Sequence, residues 1–301
     1  MSGKSKAKAP QILNKKYDDN ELVKYDNELD TVPFKRFNSA EMSIFFAIVS
    51  QMRNKRTQTI RFPFSDLKKL SQYSKKSLKS FVKVLHNTYH KMLALTIYNK
   101  QEGEYDEWVL FTHFHISTKH KVVDISVNPD PKMQAILNNI TRWTRFSLQQ
   151  FNSLSSSYAK TIFRLCKKFR TQGYCYLNMK NFRKQLNIPK SYGLSHIDEK
   201  VLKPSRRQLR KKIWSDFDYQ KIKSKKRGNR VLGFKFLFQK EAHNNKDILT
   251  SSIQTNFKDM RRNTHVLNKE NLKEIGKRKK PKPCSNEQAN KIYQNFLKKK
   301  S

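Results

Sequence analysis

The sequence is short of acids and cysteines, and it has no long apolar run. Its 301 residues hold 24 Asp and Glu against 64 Lys and Arg, a formal net charge of +40. Such a field favours polyanionic partners, bound through counterion release and with a steep salt dependence. The three cysteines, Cys166, Cys175 and Cys284, fit neither a disulfide framework nor a zinc site. They read as buried or incidental thiols in a reducing compartment. No apolar stretch reaches the roughly 18 residues a membrane helix requires. The basic start, MSGKSKAKAP, lacks the apolar segment of a signal peptide. No Gly-rich phosphate loop is present, so nucleotide hydrolysis is not expected, nor is a cofactor. These absences point to a soluble, cytoplasmic chain without membrane contact.

The positive charge is unevenly spread. Residues 1–30 carry six Lys and six acids, whereas 142–240 carry 26 basic and 4 acidic residues. The latter stretch is also rich in Phe, Tyr, Leu and Ile, so it reads as a folded basic domain. Hydrophobic residues at 36% and aromatics at 12% suffice for two small cores, and the length suits two domains. The expected organisation is a flexible N-terminal arm at 1–30 and a first domain at 31–141. A second domain follows at 142–243, then a basic tail at 244–301.

Periodicity gives the class of each domain. Ser39 is the expected N-cap of a helix carrying Ile44, Phe45, Ile48, Val49 and Met52. A short strand at 59–64 follows, then a helix capped by Ser65. A third helix, opening at Ser74 or Ser77, has Leu78, Phe81, Val82, Leu85 and Tyr89 on one face. The period then changes to two. Strands are expected at Leu95–Ile97 and Trp108–Ile116, joined by QEGEYDE, and at Val122–Val127. The order recurs after residue 142: a helix with Tyr158, Ile162 and Phe163, a strand at 174–177 and a short helix with Phe182. A longer helix holds Ile197, Val201, Leu209 and Ile213 inward, and a hairpin with the tip KKRGNR closes the set. Leu232, Phe234, Phe236 and Phe238 alternate along its second strand. Helix, strand, helix, helix, hairpin is the winged-helix variant of helix-turn-helix. The fold class is therefore α+β, mainly α, with tandem winged-helix domains related by internal duplication. In the tail, KRKKPKP at 277–283 reads as a solvated or DNA-contacting run, and Ala289 to Leu297 as a short amphipathic helix.

The candidate DNA-binding residues lie on the third helix and wing of each copy. In the second copy, Lys200, Lys203, Arg207 and Arg210 form a stripe opposite the apolar face, flanked by Arg206 and Lys211. Arg forks suit guanine edges in the major groove. Pro204 predicts a kink or a helix start. The wing adds Lys223, Lys225, Lys226, Arg227 and Arg230. The first copy offers Lys75, Lys76, Lys79 and Lys83 on its helix. Its expected wing tip holds Glu102, Glu104, Asp106 and Glu107. Phosphate repels such a tip, so the first copy is expected to contact DNA weakly or by its helix alone, and to serve protein contact.

Four stretches carry a resemblance to a known family. They are SSYAKTIFRLCKKFRTQGY ending at Tyr174, FRKQLNIPKSY from Phe182, IDEKVLKPSRRQL from Ile197 and YQKIKSKKRGNRVLGFKFLF from Tyr219. In these the second half resembles plasmid replication initiators of the Rep_3 type, and Phe34 to Asn128 looks like the family's first winged helix. The resemblance implies a non-enzymatic protein that binds directly repeated origin sites as a monomer. It would open the adjacent AT-rich duplex and recruit the host initiator and replicative helicase. It also implies dimers, joined through the first domain, that repress the protein's own gene, and a place on plasmid DNA in a bacterial cytoplasm. Base reading is implied for Lys203, Arg206, Arg207 and Arg210, with Lys225, Arg227 and Arg230 on the wing.

Rival classes share some of these features. His113-Phe114-His115 places two imidazoles on one face of a strand, as in metal-dependent nicking by rolling-circle initiators and relaxases, and Tyr219 to Lys223 fits a Tyr-x-x-x-Lys pattern. No third ligand is evident. A winged-helix transcription regulator would share every DNA-binding residue. An RNA-binding structural protein would share the charge, but no RNA-module motif occurs.

Overall fold

The chain enters its folded part through β1 (Gln11–Ile12) and β2 (Leu22–Asp26), followed by a 3-10 turn at Asn27–Thr31. A computed structural model describes residues 11–12, 21–75, 77–101, 104–138, 140, 142–225 and 228–242, all within the unit Met1–His243. The run 277–283, the amphipathic positions 289–297, Cys284 and residues 1–10 and 13–20 lie outside the described residues. Residues 22–30 were expected in a flexible arm. Instead Val23, Tyr25, Leu29 and Asp30 are buried. Alternation along β2 places Val23 and Tyr25 on one face, and that face is covered.

The first winged helix is centred on α1 (Ser39–Met52), buried from Glu41 through Met52 on every side. A helix without a polar face must be enclosed by other elements. Its N-cap is Asn38, one residue before the expected Ser39. The Asn38 side chain accepts from the Glu41 backbone N–H at 2.9 Å, and the Glu41 carboxylate accepts from the Asn38 N–H at 2.7 Å. Both halves of a capping box are thus present. Glu41, fully buried, also accepts from Lys91 Nζ at 2.6 Å. β3 (Ile60–Pro63) leads directly into α2 (Phe64–Leu70), whose cap position is Pro63 with no side-chain bond. The expected cap, Ser65, sits inside the first turn and bonds Asp66. α3 (Leu78–Leu93) is capped by Ser77 and buries Phe81, Leu85, Thr88 and Met92, while Leu78 is 40% exposed.

The strands after α3 differ from the sequence reading. The stretch expected as one strand from Trp108 to Ile116 breaks at Leu110. Among the described residues β4 (Thr96–Gln101) pairs only with β5 (Glu104–Val109), as a separate two-stranded hairpin. β6 (Phe111–Ser117) turns back into β7 (Val122–Val127), and this second hairpin joins β3 in a sheet of order β1-β3-β7-β6. Leu110 is 3% exposed, and its carbonyl accepts from Asn128 N–H at 2.9 Å. The buried bend re-aims the chain from one hairpin to the next. α4 (Pro131–Leu137) follows, and then β8 (Trp143–Ser147).

The second winged helix repeats this plan. α5 (Leu148–Ser153), capped by Ser147, precedes α6 (Ser157–Lys168), capped by Ser156, so two helices stand where the single one with Tyr158, Ile162 and Phe163 was expected. β9 (Tyr174–Asn178) leads directly into α7 (Met179–Gln185), as β3 leads into α2. α8 (Leu194–Ile197), a π turn at Asp198–Leu202 and α9 (Lys203–Lys212) follow, then β10 (Asp218–Lys223) and β11 (Val231–Leu237). The sheet order β10-β11-β9 matches β6-β7-β3 strand for strand, with antiparallel pairing in both. Internal duplication is therefore visible in topology, and the β4–β5 hairpin is an insertion in the first copy. A bulge between Ile222 and Lys223 breaks the expected alternation, leaving Val231 buried and Leu232 45% exposed. Gly233 is required at its position, because a Cβ there would lie 2.3 Å from the Leu177 carbonyl oxygen.

The two copies share one core, and the boundary expected between 141 and 142 falls beside paired structure. β2 pairs with β8 in antiparallel register, Leu22 opposite Ser147 and Asp26 opposite Trp143. An aromatic chain crosses the seam from Phe46 to Phe151 (4.8 Å between centroids), Phe146, Phe163 and Trp214. Arg164 of α6 reaches Asp30 at 2.6 Å, both groups fully buried. The same carboxylate accepts from Tyr25 Oη at 2.9 Å and Thr144 Oγ1 at 2.5 Å. Burial, with the Asp30 charge second, pushes the Tyr25 phenol well above its usual value and keeps it a donor. Lys160, one turn earlier, donates to the Ser39 carbonyl at 2.8 Å and to Ser43 Oγ at 2.5 Å. No carboxylate balances it in those contacts, and burial lowers its pKa to about 7.

Two outcomes follow from this seam. Arg164→Met leaves a buried, uncompensated Asp30 and should cost about 3–5 kcal/mol in chemical denaturation; replacing both partners with Met and Asn should cost less than that. Between about pH 7 and the unfolded lysine value near 10.4, the unfolded chain holds a proton on Lys160 that the folded chain lacks. Stability therefore rises with pH in that window, by up to about 1.4 kcal/mol per unit from this group. Lys160→Met should flatten the rise in denaturation midpoint across it.

Candidate nucleic-acid interface

The second recognition helix is one continuous helical run from Leu194 to Lys212. Ile197, Val201, Leu202, Ser205 and Leu209 anchor its inner face. Pro204 stands at the second position of α9 (Lys203–Lys212), the helix start expected there, while the π turn before it keeps the run continuous. Pro204 has no N–H, and its ring would clash with the carbonyl four residues back. The preceding turn widens: the Lys203 N–H bonds the Asp198 carbonyl, five residues back, and the helix continues.

Three contacts fix the helix against the rest of its domain. Gln208 Oε1 accepts from the Ser155 and Ser156 backbone N–H groups at 2.9 and 3.2 Å, tying it to the start of α6. Asp198 accepts from Lys221 Nζ and, at 3.4 Å, from Tyr219 Oη, both on the wing strand β10. Arg206 forms an ion pair with Asp218 at 2.9 Å at the foot of the same strand. The wing is thus held to the helix by opposite charges at both levels. Burial, with the Asp198 charge second, pushes the Tyr219 hydroxyl above its usual value.

The predicted residues divide accordingly. Lys200, Lys203, Arg207, Arg210 and Lys211 are exposed. Lys200 lies 5.2 Å from the Tyr192 ring centroid, and Arg210 Nε donates to the Ser215 carbonyl at 3.1 Å. Arg206 is half-buried and committed to Asp218, so it supports the wing rather than standing free in the stripe. On the wing, Lys223, Lys225 and Arg230 are exposed, and Ser224 N–H closes the turn on the Arg230 carbonyl at 2.8 Å. Gly228 and Asn229 take φ of +92° and +45°, the left-handed values that this turn pair tolerates. Lys226 and Arg227 lie outside the described residues.

In the first copy Lys75, Lys79 and Lys83 are exposed, and Lys76 lies outside the described residues. The wing is not the acidic segment expected from sequence. By topology the counterpart of β10–β11 is β6–β7, whose turn carries Thr118, Lys119, His120 and Lys121, all exposed. Lys121 has φ +53°, and the His120 N–H bonds Ser117 Oγ at 3.2 Å. The acids belong to the inserted β4–β5 hairpin. Asp106 there lies 3.5 Å from Lys132 Nζ, which also sits 4.3 Å from the Trp108 ring centroid. Glu107 is exposed, while Glu102 and the Glu104 side chain lie outside the described residues. Sequence reasoning chose the hairpin nearest the helix. The missed signal was the short turn S-T-K-H-K between two alternating strands.

The residues of the nicking alternative are not brought together. His113 and His115 are exposed on β6, across the strand from Phe114, which packs on Tyr89 at 4.4 Å. Tyr219 belongs to the other sheet, in the other winged helix. Among the described residues no three His, Cys, Asp or Glu side chains gather as a metal cluster, and no helix is long and apolar enough to cross a membrane. Cys166 and Cys175 are both buried free thiols, and burial, together with the neighbouring Cys175, raises the Cys166 pKa well above its usual value.

Comparison with known proteins fits this architecture. The model of the initiator replication protein's first winged-helix domain matches residues 22–167, and that of the initiator Rep protein's second winged-helix domain matches 178–238. The "Probable replication protein rep" of Bifidobacterium longum (strain NCC 2705) is 29% identical over 226 residues, 74% of either chain. The crystal structure of Pi initiator protein in complex with iteron DNA is similar in fold. Its TM-score is 0.58 at 13% identity, covering 75% of this chain and 100% of that one. With both winged-helix domains matched and their duplicated topology in place, the chain belongs to the Rep_3 family of replication initiator proteins.

Proposed function

We propose that the protein is a sequence-specific, double-stranded-DNA-binding initiator of plasmid replication, and that it binds directly repeated origin sites. The observation that carries this reading is the outer face of the second recognition helix. Lys203 and Arg207 are exposed there with no intramolecular partner among the described residues, beside a basic wing held in place by Asp198 and Asp218. Cations without partners on a fixed helix are free to meet phosphates and base edges. The shared fold of a Pi initiator crystallised on iteron DNA supports the same placement.

The proposed division of labour follows the two copies, a first winged helix at 31–141 and a second at 142–243. The second reads bases through Lys203, Arg207 and Arg210, with Lys200, Lys211, Lys223, Lys225, Lys226, Arg227 and Arg230 on the backbone. The first adds phosphate contacts from Lys75, Lys76, Lys79 and Lys83, and its relocated wing contributes Lys119 and Lys121. The acidic β4–β5 hairpin forms a two-stranded sheet of its own, apart from the wing, and is left for protein contact, including self-association and autorepression. Opening of the adjacent duplex and recruitment of the host initiator and helicase complete the role. The role is non-enzymatic: the Tyr219 hydroxyl is engaged by Asp198 and its pKa is raised, the wrong direction for a nucleophile.

Binding to DNA with direct repeats, against DNA with one isolated palindrome, tests the function; preference for the palindrome would make the protein a regulator instead. Arg207→Ala should weaken specific binding by about 1–3 kcal/mol and relax preference at one base pair. Unchanged affinity and preference would displace the recognition face. Replacing Lys119 and Lys121 with Ala should lower the slope of log affinity against log salt by about 1 per lost phosphate contact. Neutralising Asp106 and Glu107 should leave that slope unchanged.

A further inference from the structure

His86 and His90 stand one turn apart on α3, both exposed, with their Nε2 atoms 3.2 Å apart and ring centroids 4.4 Å apart at 70°. Nothing in the proposed DNA contacts uses them. A hydrogen bond between two exposed imidazoles competes with water and contributes little. The same geometry has another use. A cation about 2.0–2.1 Å from each nitrogen, the usual zinc–imidazole length, would subtend roughly 100° at the metal. That angle lies between the cis octahedral and tetrahedral values.

We propose that His86 and His90 form a bidentate site for a borderline transition-metal cation of the Zn²⁺ class. The helix supplies the spacing, since residues four apart lie on one face. The Tyr89 ring packs against His90 at 5.6 Å and against Phe114 of β6 at 4.4 Å, which limits the directions His90 can take. The surroundings select the metal. Lys79 and Lys83 occupy the preceding turns of the same face and repel a cation held by charge alone, such as Mg²⁺. Coordination by neutral imidazole nitrogen is partly covalent and suits Zn²⁺, Cu²⁺ or Ni²⁺. No third protein ligand joins the pair among the described residues, so the remaining positions stay open to water or another donor.

The location gives the site a consequence. At about 100° per residue, Lys79, Lys83, His86 and His90 fall within a sector of roughly 60°. Phe81, Leu85, Thr88 and Met92 bury the opposite side. A bound cation would add two positive charges to the stripe assigned to DNA, and its open positions would face phosphate oxygen or guanine N7. This consequence, unlike the metal site, rests on the DNA-binding role proposed for the first winged helix.

Calorimetric titration of the metal-free full chain with ZnCl₂, and separately with MgCl₂, tests the site. One Zn²⁺ equivalent is expected that Mg²⁺ does not replace. Its affinity should fall at least tenfold in His86→Ala and in His90→Ala, and should survive His113→Ala with His115→Ala. Both α3 positions are exposed, so the thermal midpoint serves as a fold control. Wild-type affinity and stoichiometry in the α3 variants, or loss that follows His113 and His115, would overturn the proposal. DNA affinity with and without Zn²⁺ is read separately. Tightening in the wild type that His86→Ala abolishes places the cation at DNA. Zn²⁺ binding lost with His86 but without effect on DNA leaves the site standing and removes this face from the DNA interface.

Discussion

The buried pair of Arg164 and Asp30 is the constraint around which both winged helices are arranged. Two opposite charges at 2.6 Å, closed off from water, are tolerated only when each is held in place. Tyr25 and Thr144 hold the carboxylate, the Leu29 carbonyl accepts from the guanidinium at 3.3 Å, and the Phe34 ring lies 4.8 Å from its carbon. Among the described residues Arg164 Nε and Nη2 have no hydrogen-bond partner, so the network there is incompletely satisfied. Such a pair is weak evidence for net stability, but it penalises any arrangement that separates its members. One member comes from the turn after β2 and the other from the central helix of the second copy. The register of β2 on β8 and the packing of α6 on α1 follow from that joint requirement.

A fixed seam has a functional corollary. Under the DNA-binding role proposed for both copies, their third helices, whose buried faces belong to one core, would present their cationic faces together. Order of this kind reduces the freedom lost on binding DNA, because the domains need not be brought together at that moment. Lys160 adds a titratable element to the same seam, since its burial between α6 and α1 disfavours the ammonium form.

Within each copy the wing is positioned by charge as well as by the sheet. In the second, Asp198 and Asp218 are two of the four acids between residues 142 and 240. Both bind cations at the junction of helix and wing, and among the described residues no acid pairs with Lys203 or Arg207 on the outer face. In the first, Arg61 and Asp124 pair across β3 and β7 at 2.8 Å beneath the Lys119–Lys121 turn. Among the described residues, Asp30, Glu41, Asp124, Asp198 and Asp218 are engaged by cations of the scaffold, whereas Asp106 and Glu107 sit exposed on the inserted β4–β5 hairpin.

Much of this was legible from residues alone. Helical spacing located α1, α3, α6 and the recognition helix, and alternation located β9 and β11. The cationic stripe opposite Ile197, Val201 and Leu209 was readable because local periodicity reflects one buried face. Local patterning could not tell which hairpin joins β3, because pairing is a long-range choice and both hairpins alternate equally well. It could not place 22–30 in the core, since the strand partners of Val23 and Tyr25, and the Thr144 and Arg164 that hold Asp30, lie more than a hundred residues away at 144–164. Arg206 looked equivalent to Arg207 until Asp218 was brought beside it. Composition and period fixed the elements, the DNA-seeking charge and the duplicated plan, because these depend on neighbours within a few turns. The wing of the first copy, the joining of the two domains and the sorting of structural from free cations were decided only in three dimensions, where contacts between distant segments determine which charges remain unpaired.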